Sequence, residues 1–223
     1  MRWRNSWPTD VEERHITVPR TARYHVLGAP STAQELRLVL HGYGQLARYF
    51  LRHFEGLGNG RLIVAPEGLS RYYTDAGHTR VGATWMTRED RGNEINDHVN
   101  YLDRLCAELI RIAGRSLPVH VLGFSQGVAT AARWTTLGQT TPASLVLWGG
   151  QLPPDLPSGV LGERWASTPV TLVHGAQDEL VPKAVMATAY QRLLSEGVAC
   201  KLVEHPGGHA LDPVHVVDVV HLR

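Results

Sequence analysis

One serine of this chain stands in a glycine-flanked pattern that can turn its hydroxyl into a nucleophile. Gly123-Phe124-Ser125-Gln126-Gly127 has the spacing G-x-S-x-G; it follows the apolar run VHVL and precedes the helix-prone run VATAARW. A strand, a tight turn and a helix in that order push a serine Oγ out above the edge of a sheet, and the turn is too tight for side chains at the glycine positions. The pattern therefore predicts Ser125 as a nucleophile. The alternative is a chance match in which Ser125 only caps the following helix.

A serine hydroxyl needs an adjacent base, and histidine can serve because its ordinary pKa is about 6.5. The chain has 12 histidines, and the order serine, acid, histidine favours one near the C-terminus. His209 ends the sequence PGGH between the last predicted strand and the final helix, where glycines let the backbone carry an imidazole over the sheet edge. His205 is closer to the strand, and His215 and His221 fall inside the final helix. We expect His209 to be the base; the alternative is a loop histidine beside a helix cap.

A carboxylate must hold the other imidazole nitrogen and fix its tautomer. Asp178 lies just beyond the apolar run Val170–His174 and before a proline at which a helix can start. A carboxylate in that turn can reach an imidazole at the same edge of the sheet, so we expect Asp178 to be the acid. Glu179 is the nearest rival, Asp155 and Asp212 are weaker ones, and the alternative role of Asp178 is to cap the turn.

A second glycine-flanked turn can supply hydrogen-bond donors for a tetrahedral oxyanion. The sequence LHGYGQ follows the first buried central strand, and we expect the backbone N–H groups of Tyr43 and Gln126 to form an oxyanion hole. The alternative is a plain strand–helix turn. His41 precedes the turn, so we expect its imidazole to brace the loop. The Pro-Gly-Gly between His205 and His209 excludes the regular helix that would align them as metal ligands, and we expect no metal and no organic cofactor.

A parallel sheet is needed to bring these distant residues to one edge. Short β-branched runs alternate with helical patterns, which is typical of βαβ units and of an α/β fold with a mostly parallel sheet. The predicted central strands are Leu36–Leu40, Arg61–Ala65, Val119–Gly123, Ser144–Trp148, Val170–His174 and Lys201–Glu204. The predicted helices are Glu94–Ala113, Ser125–Leu137, a helix from Pro182 to near Gly197, and Asp212–Leu222.

Other segments are less regular. Glu13–Val18 and Arg23–Leu27 alternate in polarity and predict an N-terminal hairpin. Residues 66–91 and 151–168 are expected to be irregular loops at the rim where open α/β sheets bind ligands. Within the first of these, Trp85 either lines an acyl pocket or anchors its loop to the core. In the long helix Glu94–Ala113, one apolar face is predicted from Ile95, Val99, Leu102, Cys106, Leu109 and Ile112.

Length and composition limit the possible classes. The 223 residues, with 43% hydrophobic and 19% charged side chains, predict a single α/β domain over residues 1–223. A net charge of +1 does not indicate the excess of positive charge that is typical of proteins that bind nucleic acid. Cys106 and Cys200 are weak evidence for a disulfide, so a reducing compartment, the cytoplasm, is expected. Met1–Thr9 lacks the apolar segment of a signal peptide, and no apolar run is long enough for a transmembrane helix.

Taken together, LHGYGQ, GFSQG, HGAQDELVP and PGGH resemble the carboxylesterase/phospholipase branch of the α/β-hydrolases, which includes acyl-protein thioesterases and small bacterial esterases. The resemblance runs from about Glu35 to the C-terminus. It implies an α/β-hydrolase fold without a large cap domain and a serine esterase that cleaves ester or thioester bonds of small to medium acyl substrates. It also implies Ser125, Asp178 and His209 as a catalytic triad, with Tyr43 and Gln126 as oxyanion donors.

The sequence departs from the family pattern at positions that bear on substrate. Val128 follows the serine turn where a glycine or small residue is usual, the loop after RLIVA reads Ala65–Ser70, and Trp85–Thr87 replaces the usual Trp-Phe-Asp. The natural substrate and the oligomeric state therefore stay open. Rival readings are a lysophospholipase, thioesterase or peptidase on the same residues, a low-turnover binding or sensing protein, and a structural protein.

Overall fold

The computed structural model describes the backbone of residues 11–221 and the side chains of residues 11–218. Met1–Thr9, where no signal peptide is expected, lies outside the described residues, as does Leu222 at the predicted end of the final helix. Among the described residues, no helix is both long and apolar enough to cross a membrane.

Nine strands of the described chain form two sheets. Their bounds are β1 (Tyr24–Leu27), β2 (Glu35–Leu40), β3 (Arg61–Pro66), β4 (Ser70–Tyr73), β5 (Val81–Thr84), β6 (Val119–Phe124), β7 (Ser144–Trp148), β8 (Val170–Gly175) and β9 (Cys200–His205). The main sheet has seven strands in the order β1-β3-β2-β6-β7-β8-β9, and β4 pairs with β5 in a separate hairpin. All neighbours in the main sheet are parallel except β1 and β3. The predicted mostly parallel sheet is confirmed.

Helices cover both faces of the main sheet. They are α1 (Ala47–Phe50), followed by a 3-10 turn (Leu51–Phe54), α2 (Arg91–Ala113), α3 (Gln126–Leu137), α4 (Val160–Arg164), α5 (Lys183–Ser195) and α6 (Pro213–His221). Side chains alternate between the two faces along each central strand. In β2, Leu36, Leu38 and Leu40 pack on the side of α2 to α5, whereas Val39 packs on the side of α1 and α6. This sandwich is the α/β-hydrolase fold, and the described chain carries no large cap domain.

The predicted N-terminal hairpin is wrong. Glu13–Val18 is irregular and exposed, with Ile16 87% accessible. The second predicted strand does form, as β1, but it pairs antiparallel with β3 at the edge of the main sheet. An isolated two-stranded ribbon buries too little apolar surface to be stable, whereas the edge of a packed sheet offers both hydrogen bonds and a core.

Three further expectations need correction. Residues 66–91 are not wholly irregular, because β4 and β5 form a hairpin inside them, and residues 151–168 contain the short helix α4. On α2, Ile112 is 45% exposed, and Ala113 is buried in its place. Leu109 and Ala113 are four residues apart and share a stripe, and Ile112 lies at its margin. Cys106 and Cys200 are free thiols, as expected.

His98 makes the fold sensitive to acid. Its side chain is fully buried on α2, and burial, together with the positive charge of Arg133, lowers its pKa to about 4. Between pH 6.5 and 4 the unfolded chain therefore binds a proton that the folded chain does not, so the free energy of unfolding falls as the pH falls. For this residue alone we expect a loss of about 3 kcal/mol across that window.

Urea unfolding of the wild type and of His98→Gln at several pH values measures this contribution. Other buried histidines also titrate, so the informative quantity is the difference in pH dependence between the two proteins. We expect a shallower dependence below pH 6.5 in the variant. Identical slopes for both proteins would show that His98 is protonated as easily in the folded chain as in the unfolded one.

Candidate active site

The serine turn, Gly123–Gly127, connects β6 to α3 with backbone packed against backbone. A Cβ at Gly123 would lie 2.3 Å from the Gly127 carbonyl oxygen, and a Cβ at Gly127 would lie 2.3 Å from the Leu40 carbonyl oxygen. Ser125 itself has φ 54°, in a region that residues other than glycine rarely occupy. The steric reason for the two glycines, inferred from the motif, is therefore confirmed.

Gly127→Ala should destabilise the protein by about 1–3 kcal/mol, because the added methyl group meets main-chain atoms that cannot rotate away. Gly92→Ala is the matched control, since a Cβ there meets no atom within 4 Å and the residue lies in α2. The control should be neutral or slightly stabilising. Urea unfolding of both variants tests the difference, and equal stability of Gly127→Ala and the wild type would contradict the tight packing.

The hydroxyl of Ser125 points to His209. Ser125 precedes the first residue of α3, yet its side chain makes no capping hydrogen bond. Its Oγ lies 2.9 Å from His209 Nε2 instead. The structure therefore contradicts the alternative in which Ser125 only caps the helix.

His209 is held between this hydroxyl and a buried carboxylate. Its Nδ1 lies 2.8 Å from Asp178 Oδ2, and the Asp178 side chain is 1% exposed. The other oxygen, Oδ1, accepts hydrogen bonds from the amides of Leu180 and Val181, both at 2.9 Å. Asp178 thus caps its turn with one oxygen and orients the imidazole with the other.

Trp148 Nε1 fixes the loop next to His209 by donating to the Ala210 carbonyl at 3.1 Å.

The environment keeps Asp178 ionised. Burial would raise the pKa of its carboxyl, but the hydrogen bonds from His209 and from the Val181 and Leu180 amides lower that pKa below its usual value. With Asp178 as an acceptor, Nδ1 carries the proton and Nε2 is left to accept one. The three side chains can therefore pass a proton from the Ser125 hydroxyl to the imidazole.

The rival residues have other partners. Glu179 is exposed, Asp155 pairs with Arg91 and Arg133, and Asp212 pairs with His215 at 2.7 Å. His205 is buried at the end of β9, where its Nδ1 accepts from the Gly207 amide. None of these side chains contacts Ser125 in the described structure.

The turn after β2 lies directly beside the serine. A Cβ at Gly42 would be 3.1 Å from the Ser125 Cβ. The Gly42 amide already donates to Gln45 Oε1 at 2.8 Å. The amides of Tyr43 and Gln126 have no hydrogen-bond acceptor within the described chain. Two amides without an acceptor thus adjoin Ser125 or its neighbour Gly42, and an oxyanion hole needs such donors.

His41 and Trp85 support this turn from inside. The His41 imidazole is fully buried; its Nδ1 donates to the Gly42 carbonyl at 2.7 Å and its Nε2 accepts from the Gly68 amide at 3.0 Å. Burial lowers the pKa of His41 below its usual value, so the ring stays neutral. The bracing role is confirmed. Trp85 is 2% exposed and donates from Nε1 to the His41 carbonyl at 2.9 Å. This is the loop-anchoring role, and it leaves the indole little surface for substrate.

Sequence reasoning missed two supports of the site. The Gln126 side chain accepts from the Trp85 amide at 3.2 Å and donates to the Met86 carbonyl at 2.8 Å, so it latches the segment after β5 to the serine turn. Glu67, 2% exposed, is held by Arg23 and Arg71. Burial would raise the pKa of Glu67, but these arginines lower it. In the sequence, the only sign that Glu67 could support the site was its position directly after the carboxyl end of β3.

The serine turn also borders a cavity of about 300 Å³. One wall is the segment 86–88 after β5, and the other is the face of α3 that carries Gln126, Ala129, Thr130 and Arg133. This volume lies at the lower end of the range for small-molecule sites. A second cavity, under Arg37 and Ser144, holds about 10 Å³ and is too small for a ligand.

Solved structures resemble this chain at low sequence identity. Acyl-protein thioesterase 2 of Zea mays superposes with a TM-score of 0.70 at 19% identity, covering 90% of this chain and 96% of that one. A carboxylesterase of Mesorhizobium loti has a TM-score of 0.70 at 18% identity, covering 88% and 92%. Esterase PE8 has a TM-score of 0.65 at 22% identity, covering 90% and 97%. These likenesses confirm the expected α/β-hydrolase fold.

The sequence itself gives the family. No curated protein matches it, but the family model described as serine hydrolase (FSH1) matches residues 32–213. That range spans most of the chain and contains the serine turn, Asp178 and His209. The resemblance to serine esterases is confirmed at this level, and the chain belongs to the FSH1 family of serine hydrolases.

Proposed function

We propose that this protein hydrolyses carboxylic ester or thioester bonds through an acyl-enzyme on Ser125. The observation that carries the proposal is the unbroken contact from Ser125 Oγ to His209 Nε2, 2.9 Å, and from His209 Nδ1 to Asp178 Oδ2, 2.8 Å. Hydroxyl, imidazole and buried carboxylate in this order form the arrangement that activates a serine. The structural neighbours include an esterase and an acyl-protein thioesterase, which supports the choice of bond.

The mechanism follows from the geometry. Ser125 Oγ attacks the carbonyl carbon while His209 Nε2 takes the hydroxyl proton, and Asp178 stabilises the imidazolium that forms. The tetrahedral oxyanion accepts hydrogen bonds from two amides, that of Tyr43 in the turn after β2 and that of Gln126 at the start of α3. His209 then protonates the leaving alcohol or thiol, and a water molecule, deprotonated by His209, releases the acid from Ser125. No step calls on a cofactor.

A p-nitrophenyl ester series of increasing acyl length, run beside one thioester and one amide, tests the proposal. We expect ester and thioester turnover, and covalent labelling of Ser125 by a fluorophosphonate. Turnover of the amide alone would indicate a peptidase. Absence of both turnover and labelling in the folded protein would indicate a binding protein that has kept the fold.

The two free thiols support placing the enzyme in a reducing compartment such as the cytoplasm.

A further inference from the structure

The cavity beside Ser125 is a groove along one face of α3. Gln126, Ala129, Thr130 and Arg133 lie three or four residues apart, so their side chains form one stripe that starts at the serine turn. From Gln126 to Arg133 the helix rises about 10 Å. Helical side chains lean toward the N-terminus of their helix, so we expect the Arg133 guanidinium to lie nearer the serine turn than its Cα does.

The guanidinium of Arg133 is buried and only partly satisfied. The residue is 3% exposed. Its Nε and Nη2 donate to the two carboxylate oxygens of Asp155, at 3.1 and 2.8 Å. Its Nη1 has a single partner, the thioether sulfur of Met86 at 3.3 Å. A thioether is a weak acceptor, so Nη1 of this buried cation lacks a strong partner, and the residue that carries it lines the groove.

The charged side chains that line the groove are those of two arginines, Arg88 and Arg133. Asp155 is shared between Arg133 and Arg91, so one carboxylate serves two guanidinium groups. Arg88, on the opposite wall, is exposed and forms no ion pair within the described residues. Glu94 is near that wall but accepts hydrogen bonds from Thr87, and no acidic side chain lines the cavity itself.

The charge of Arg133 also affects the pKa of a histidine, His98. His98 lies on α2, and the positive charge of Arg133 adds to burial in lowering the pKa of His98. The neutral imidazole contributes no positive charge of its own, which leaves the arginines as the cations of the groove.

The groove lies on the acyl side of the reacting serine. His209 approaches from the β8 and β9 end of the sheet, whereas segment 86–88 follows β5, which lies against the turn after β2. Since β2 adjoins β6 on one side and β8 lies beyond β7 on the other, we infer that the groove and His209 lie on opposite sides of Ser125. The leaving group must face His209 to receive its proton. The acyl chain is left to occupy the groove.

We propose that the preferred substrates are esters whose acyl chain ends in a carboxylate, which binds Arg133 and Arg88. The inference rests on the proposed function, because it names the substrate class of that same site. A carboxylate gives Arg133 Nη1 the acceptor it lacks, and a charge-assisted hydrogen bond in a buried site is stronger than a neutral one. The length of the stripe corresponds to an acyl chain of roughly six to eight carbons.

The test compares three probes at equal concentration by proton release: the monomethyl ester of octanedioic acid, methyl octanoate, and the acetate ester of a long ω-hydroxy acid. We expect kcat/KM to be about 10- to 100-fold higher for the first than for the second. Arg133→Gln should abolish this preference while methyl octanoate hydrolysis continues. Arg88→Gln, which removes an exposed cation with no structural partner, should reduce the preference about 2- to 5-fold. Arg104→Gln is the control, because Arg104 is exposed on α2 away from the groove.

The outcomes separate the two proposals. Wild-type protein that hydrolyses methyl octanoate as well as the octanedioate ester retains the proposed function and overturns this inference. A preference for the anionic alcohol ester overturns the acyl assignment. A preference that survives in both Arg133→Gln and Arg88→Gln overturns the role of the arginines. If Arg133→Gln does not fold, an Arg88→Gln protein that keeps the full wild-type preference overturns the role of the arginines. Failure to hydrolyse any ester, with no fluorophosphonate labelling, overturns the proposed function as well.

Discussion

Ser125→Ala should lower ester turnover by about three to six orders of magnitude without loss of the fold. The Ser125 hydroxyl is the only nucleophile that contacts His209 Nε2 among the described residues. Removing Oγ leaves the amides of Tyr43 and Gln126 in place, so a small residual rate from oxyanion stabilisation is expected. The methyl group of alanine is compatible with the space, since Ser125 Cβ is already present.

Ser144 offers a matched control for this experiment. Its Oγ lies 2.7 Å from His120 Nδ1, and His120 Nε2 lies 3.6 Å from a carboxylate oxygen of Glu35. This second serine–histidine–carboxylate contact is at the opposite end of the sheet and borders a cavity of only about 10 Å³. Ser144→Ala removes a similar hydrogen bond and should leave turnover within a few-fold of the wild type.

The measurement is kcat on a p-nitrophenyl ester, with thermal unfolding of each variant to show that the fold is retained. A folded Ser125→Ala protein that turns over ester at the wild-type rate would overturn the acyl-enzyme mechanism. Equal losses in Ser125→Ala and Ser144→Ala would show that the fall in rate comes from general destabilisation.

Asp178→Asn should lower kcat by about three to four orders of magnitude. The Asp178 carboxylate accepts a hydrogen bond from the N–H group at His209 Nδ1, which leaves Nε2 free to accept from Ser125. An amide nitrogen in the position of Oδ2 donates instead, so the proton moves to Nε2 and the base is lost. The remaining amide oxygen can still accept from Leu180 and Val181, so the turn should persist.

Asp212→Asn is the control for the carboxylate. Asp212 also contacts a histidine, His215, but neither residue touches Ser125. We expect its activity to stay close to that of the wild type, measured by the same ester assay with fluorophosphonate labelling of Ser125 alongside. Normal kcat in Asp178→Asn would mean that the imidazole tautomer is set by another group.

Much of the fold follows from local rules that a single sequence displays. The apolar runs of β2, β3, β6, β7 and β8 are recognisable because strands buried on both faces must be apolar throughout, whereas the edge strand β9 is largely exposed. The serine turn is recognisable because backbone contacts at Gly123 and Gly127 exclude side chains. His209 and Asp178 follow from their position after two of these strands, since carboxyl ends of parallel strands meet at one edge.

Other features could not be predicted because they depend on partners far apart along the chain. The alternation of polar and apolar residues in Glu13–Val18 resembles that of a strand, but this segment pairs with no strand of the described sheets. In contrast, β1 pairs with the free edge of β3. The β4–β5 hairpin lies in a glycine-rich stretch where alternation is weak. A tryptophan at position 85 looks the same in the sequence whether it lines a pocket or anchors a loop. Only the hydrogen bond from its Nε1 to the His41 carbonyl shows that it anchors the loop.

The sequence by itself determined the central strands, the long helices, the serine turn and the candidate acid and base, because steric and hydrophobic constraints act over a few neighbouring residues. The tertiary structure alone decided which imidazole nitrogen faces Ser125, which amides are left without acceptors, and how Arg133 meets Met86 across the groove. These depend on packing between segments tens of residues apart, and no local periodicity encodes the distance between such segments.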